Sequence, residues 1–205
     1  MPLPIPTYSY EDLRRRAAAF LRQHHPEGSV PVPIEQIVEF QFHINIIPLP
    51  GLLKVHDVDA FLSSDLKSLA VDLGILESRS PNRYRFSLAH ELAHAFLHKD
   101  VYAQFRFSNV REWKAQIKVI SDADREWLEW QAYSFAGLIL VPGEPLKERL
   151  RNAVRFATQQ GFSIEKAPDP AKDYLCTWLG RQFGVSSQVI EKRLDKDRLW
   201  PPAKV

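Results

Sequence analysis

Residues Phe86 to His98 read FSLAHELAHAFLH. Three histidines and a glutamate stand there among alanines, leucines and phenylalanines, where unpartnered polar groups would be costly. The core of the stretch is His90-Glu91-Leu92-Ala93-His94, an H-E-x-x-H pattern. On a helix, residues four apart share one face about a turn apart, so both imidazoles can reach one ion. Glu91 projects beside that ion, where it can hold a water; this is the arrangement used for zinc hydrolysis. A helix is expected here. Ser80-Pro81 supplies a serine cap and a proline at the first helical position, and the helix should run to about His98.

The five-residue pattern arises by chance on the order of 1% of the time in a chain of this composition, so it needs support from a third ligand. His98 lies one turn further on, but positions 90, 94 and 98 span about 12 Å of straight helix. One tetrahedral ion cannot collect all three, and no glycine breaks the helix between His94 and His98. His98 is therefore assigned to packing or to a place behind the ligands. The better source is the segment Glu129-Trp-Gln-Ala-Tyr-Ser-Phe-Ala-Gly-Leu-Ile-Leu-Val-Pro142. It belongs to a helix expected over Asp122–Leu140 that is apolar nearly all round and so should be buried. A carboxylate between Leu128 and Trp130 is expensive there unless something positive compensates it. Ala132 and Ala136 share the face of Glu129 and would let this helix lie close to the one carrying His90 and His94. Glu126, one turn earlier, competes for the role but sits nearer the polar start.

Outward from these two helices the signals are coarser. Tyr10–His24 carries apolar residues at helical spacing and stops before Pro26 and Gly28. A second helix is expected over Pro33–Gln41. Ile44–Leu49, Ala60–Ser64 and Ser68–Leu73, the last ending at Gly74, read as three strands of a small sheet. Asp100–Ser121 is read as a loop with a short helix. Helices are expected over Glu144–Gln160, Ala171–Phe183 and Ser186–Asp195, with a proline-rich linker at Ala167–Pro170.

The chain of 205 residues can bury a sizeable core. Its net charge of +2 is too small to argue for a nucleic-acid coat or an anionic membrane. Cys176 is the only cysteine, so no internal disulfide forms and a reducing compartment is expected. The opening MPLPIPTYSYEDLRRR lacks the apolar run of a signal peptide, and no window is apolar enough to span a membrane, so the expectation is cytoplasmic.

Taken together, Arg83–His98, Glu129-x-x-Ala132-x-x-Phe135-Ala136 and Leu140-Val141-Pro142 resemble the ImmA/IrrE-type zinc metallopeptidase family, over roughly Pro31–Asp195. The resemblance implies Zn2+ held by His90, His94 and Glu129, with Glu91 as general base. Two positions depart from the family's habit: Ala93 replaces a usual glycine, and Tyr133 a usual asparagine. The family cleaves regulatory proteins, typically helix-turn-helix repressors, to induce mobile-element or stress-response genes. That substrate class rests on the resemblance alone. Tyr133, Tyr102 and Arg106 are unranked candidates to donate to the tetrahedral oxyanion, and His98 is a further group behind the site.

Leu175–Leu194, LCTWLGRQFGVSSQVIEKRL, has helix-turn-helix spacing, with Gly184 at the turn and Ser186 as cap. Gln188, Lys192 and Arg193 on the second helix face opposition from Glu191, Asp195 and Asp197, which ranks packing or substrate docking ahead of DNA reading. The expected fold is α+β: a mostly helical zincin-like core over 1–143 with a small three-stranded sheet, and a C-terminal helical extension over 144–205. The expected function is a zinc-dependent endopeptidase acting on a protein substrate. Its rival is a non-catalytic, zinc-braced regulator binding DNA or a partner protein.

Overall fold

A computed structural model describes residues 3–78, 81–161 and 168–201. Helix α1 (Tyr10–His24) starts at a capping box. Ser9 Oγ accepts the Asp12 N–H at 3.2 Å, and the Asp12 carboxylate accepts the Ser9 N–H at 3.0 Å. Its inner face buries Leu13, Ala17 and Phe20. Helix α2 (Ile34–Gln36) runs on into a π-helical turn, Ile37–Gln41, so the helix expected there is present but widens.

Strand β1 (Asn45–Leu49), helix α3 (Leu52–His56), β2 (Ala60–Leu62) and β3 (Ser68–Asp72) follow. The sheet has the order β1-β3-β2, with β1 parallel to β3 and β2 antiparallel to it. Pro48 is tolerated because β1 is an edge strand. The last strand does not reach Gly74. Asp72 ends it by accepting the Gly74 N–H at 2.9 Å on one oxygen and the Leu53 N–H at 2.9 Å on the other. The chain then turns into a short helix, α4 (Leu73–Leu76).

Helix α5 (Pro81–Leu97) carries the motif and ends one residue short of the expected point; Ser80, the expected cap, lies outside the described residues. His98 instead starts α6 (Lys99–Tyr102), and α7 (Val110–Gln116) with a 3₁₀ turn, Ile117–Val119, completes the region read as a loop with a short helix. Helix α8 (Asp122–Leu140) follows, capped by Ser121, and then α9 (Gly143–Gln159), α10 (Pro168–Phe183) and α11 (Ser187–Lys196). The expected linker is helix from Pro168 onward, while Ala167 lies outside the described residues. Prolines fit the first helical turn because the N–H groups they lack have no intrahelical partner there.

The fold is α+β and mostly helical, and α5 against α8 is its most extensive helix pair. Ala89 and Ala93 on α5, and Ala132 and Ala136 on α8, are fully buried. Small side chains at these positions allow close helix approach. Leu88, Leu92, Phe135 and Ile139 fill the surrounding core, each contributing roughly 2–3 kcal/mol by burial. One hydrophobic cluster runs from Leu13 on α1 to Leu194 on α11. A smaller one gathers Phe61, Phe105, Phe107 and Leu128 under the α6–α7 region.

The C-terminal helices are tied to this frame by specific bonds. A Cβ at Gly180 would lie 2.8 Å from the Val185 carbonyl oxygen, and Gly184 has φ +64°, so both glycines shape the turn between α10 and α11. That turn is held by α5: Asn82 Nδ2 donates to Val185 O at 3.1 Å, and Arg85 Nε to Gly184 O at 3.0 Å. Arg193, buried at 4% exposure, donates from Nη1 to the carbonyls of Gly137 and Val141 at the end of α8, and from Nη2 to Asp197 at 2.6 Å.

Candidate metal centre

The helical spacing of α5 sets His90 and His94 one turn apart, with their Nε2 atoms 3.2 Å from each other. Glu129 reaches them from α8: its Oε2 lies 3.1 Å from His90 Nε2 and its Oε1 3.5 Å from His94 Nε2. One atom from each of the three residues falls within 4.8 Å of the others. Two imidazoles and a carboxylate are the donor set of a catalytic zinc site, and among the described residues no fourth such ligand joins them. Glu126, the competing carboxylate, is exposed and does not line the cleft.

The electrostatics suit a cation. Burial would raise the Glu129 carboxyl, but hydrogen bonds to His90 and His94 outweigh it and hold the group well below the usual carboxylate range. Burial likewise lowers His94, yet the hydrogen bond and charge of Glu129 prevail and raise it. The centre thus gathers a firmly ionised carboxylate and two imidazoles, a fit for a divalent metal.

Glu91 is buried beside the ligands at 8% exposure. Burial pushes its carboxyl up, against the pull of His90, His94 and the Leu62 N–H. That N–H is available because of the register of β2. Asp72 N–H donates to Asp59 O and Ser63 N–H to Ser68 O, both at 2.9 Å, so the backbone groups of Ala60 and Leu62 point away from β3. The cleft is a cavity of about 490 Å³ between β2 and the α5–α8 pair.

Tyr133 and Tyr102 both line this cleft, whereas Arg106 does not: its guanidinium donates to the carbonyls of Ala103 and Phe105. The Tyr133 ring sits 4.4 Å from that of His90 and stacks on Phe86 at 5.9 Å, with 55% of the residue exposed. The Tyr102 ring lies 5.8 Å from that of His94. Behind the ligands, His98 Nδ1 is 3.0 Å from His94 Nδ1. Two participants were not singled out in the sequence. Gln131, fully buried, adjoins His98 and donates its amide N–H to the Pro6 carbonyl at 2.8 Å. Its signal was present, since a glutamine on an apolar helix needs partners. Asp59, which receives Arg83 through two 2.7 Å bonds at the cleft rim, carried none.

A solved structure of a Mycobacterium tuberculosis transcriptional regulator is similar in fold, with a TM-score of 0.55 at 19% identity, over 94% of this chain and 48% of that one. This chain spans about half the length of that protein. No curated protein matches the chain. The IrrE N-terminal-like domain (Peptidase_M78) matches residues 41–195, which takes in β1 to α11 and every residue of the centre. With the match covering well over half its length, the chain belongs to the Peptidase_M78, IrrE N-terminal-like family.

Proposed function

We propose that the protein is a zinc-dependent endopeptidase that cleaves a regulatory protein, most consistently a helix-turn-helix transcriptional repressor. The observation carrying this reading is the convergence of His90, His94 and Glu129 at an open cleft with Glu91 buried alongside. A zinc that merely braces a fold is normally enclosed by four protein ligands, and three are gathered here. The repressor as substrate is supported by the family resemblance.

Zinc held by His90, His94 and Glu129 would supply a Lewis acid that acidifies water and polarises a peptide carbonyl. Glu91 is the proton carrier: it takes a proton from the attacking water and delivers it to the departing amine. The Ala60 backbone groups, free of β3, offer an extended substrate main chain a partner in the cleft. The hydroxyl of Tyr133 or Tyr102, both of which line the cleft, would donate to the developing oxyanion, a contribution of about 3 kcal/mol in comparable sites.

DNA reading by α11 is disfavoured by Arg193, whose guanidinium is spent on α8 and Asp197. The deciding experiment is metal content by native mass spectrometry for wild type, His94→Ala and Glu129→Ala. One zinc in the wild type, weakened or lost in both variants, is expected. Wild type should then cleave a repressor that Glu91→Gln, still zinc-loaded, leaves intact. Full activity in Glu91→Gln would overturn the mechanism, and failure of the wild type to take up zinc would overturn the function.

A further inference from the structure

A second, larger cavity of about 780 Å³ runs between α5, α8 and α11 beside the metal-centre cleft. The two cavities share Arg83, Phe86 and Tyr133, so they lie side by side. The lining of the larger one is mostly apolar. Trp130, Phe86, Tyr133 and Val189 line it.

Its rim carries Lys192 and Lys196, exposed and one turn apart on α11. The carboxylates nearest in sequence are committed elsewhere. Glu191 and Asp195 both pair with Lys172, at 3.5 and 2.8 Å, and Asp197 pairs with Arg193 at 2.6 Å. Arg83, at the junction of the cavities, is bound to Asp59. Among the described residues neither Lys192 nor Lys196 has an acidic partner; Asp195, the one carboxylate that also lines the cavity, is held by Lys172, so the lining is positive on balance beside its apolar side chains.

We propose that this groove docks the stretch of polypeptide substrate that continues from the scissile bond, selecting an apolar or aromatic residue followed by acidic ones. The inference rests on the peptidase reading above and adds the chemistry of the substrate it would prefer. An apolar side chain would pack on Trp130, Phe86 and Val189, and the acidic residues would face Lys192 and Lys196. Tyr133 lines both cavities and is a neighbour of His90. Duplex DNA is the poorer occupant, because DNA-binding proteins typically neutralise about 6–10 phosphates, not two.

The test uses the full chain as zinc-loaded Glu91→Gln, so that binding is read without cleavage. The probes are fluorescein-labelled peptides of one sequence, with Leu-Phe followed either by a run of glutamates or by a run of lysines. Anisotropy should show the glutamate peptide binding about fivefold more tightly, the scale of two exposed ion pairs. In Lys192→Glu/Lys196→Glu the preference should vanish or invert, with an unchanged melting temperature as control on the fold. Equal binding of both peptides, binding of neither, or a preference that survives the double substitution would overturn the proposal. So would a short DNA duplex that displaces the glutamate peptide at physiological salt. Cleavage of the same peptides by the wild type is scored separately. A charge preference in binding without cleavage keeps the groove and removes the peptidase; cleavage without the preference does the reverse.

Discussion

The Nδ1 atoms of His94 and His98 lie 3.0 Å apart, with His94 at 5% and His98 at 1% exposure. Only one of the two nitrogens can carry the hydrogen between them. If His94 Nδ1–H donates, its Nε2 keeps the lone pair that faces Glu129 and His90. His98 must then accept on Nδ1 and carry its own hydrogen on Nε2, on the side of Gln131, whose amide N–H is already given to Pro6. Burial, the largest cause, pushes His98 down to about 3, which keeps it neutral and able to accept. His98→Ala should therefore weaken zinc binding about 10–100-fold, the usual cost of losing a partner behind a metal ligand. His98→Asn, whose amide oxygen can stand near the Nδ1 position, should lose less. Competition with a chromophoric chelator measures both, and wild-type affinity in both variants would reduce the contact to packing.

Ala136 is fully buried where α8 faces its neighbours, two turns beyond Glu129. Ala136→Leu should cost about 1–3 kcal/mol by overpacking. Because Glu129 rides on the same helix, zinc affinity should fall together with the urea midpoint. A destabilised variant that binds zinc unchanged would show that the helix spacing does not position the carboxylate.

The two helices that carry the centre were legible because their patterns are long and mutually dependent. H-E-x-x-H fixes one face of α5, and a carboxylate stranded on the apolar α8 asks for a cation. The three strands were legible too, but not their order, since β1 pairs with β3 across the intervening β2. Such pairing depends on crossover geometry rather than on any local signal. The end of β3 was overrun because Gly74 reads as a turn, whereas Asp72 had already capped α4 through it. His98 was separated from the ion by helix arithmetic. Its place behind the ligands was legible and is where it lies, against His94; the surrounding partners Gln131 and Pro6 were not, because they are distant in sequence.

Arg193 and Asp197 form a buried pair at the end of α11, each side chain 5% exposed, and Arg193 also donates to the carbonyls of Gly137 and Val141 at the end of α8. Removing one partner of a buried pair leaves an uncompensated charge, so Arg193→Met should destabilise by about 3–5 kcal/mol. Arg193→Met/Asp197→Leu should recover much of that loss, although the α8 carbonyls remain without their donor. Urea titration of the three proteins decides it. A double variant as unstable as the single one would mean that the bonds to Gly137 and Val141, not the ion pair, hold the helices together.

Tyr10 supplies a pH dependence whose sign is fixed by its surroundings. Its hydroxyl donates to Asp197 at 3.2 Å, and burial, opposed by Arg193 and reinforced by Asp197, pushes its pKa from 10.0 to about 12. Between those values the unfolded chain has lost the phenolic proton and the folded chain still holds it. Stability present below pH 10 is therefore lost as pH rises towards 12. Tyr84, Tyr102 and Tyr133 are raised as well, chiefly by burial, and slope the same way. The urea midpoint of the wild type should fall through this window, and Tyr10→Phe, less stable at neutral pH, should fall less steeply. Tyrosinate absorbance should lag behind that of the unfolded chain until the transition itself. Parallel slopes for wild type and Tyr10→Phe would show that the hydroxyl is not held by Asp197 in solution.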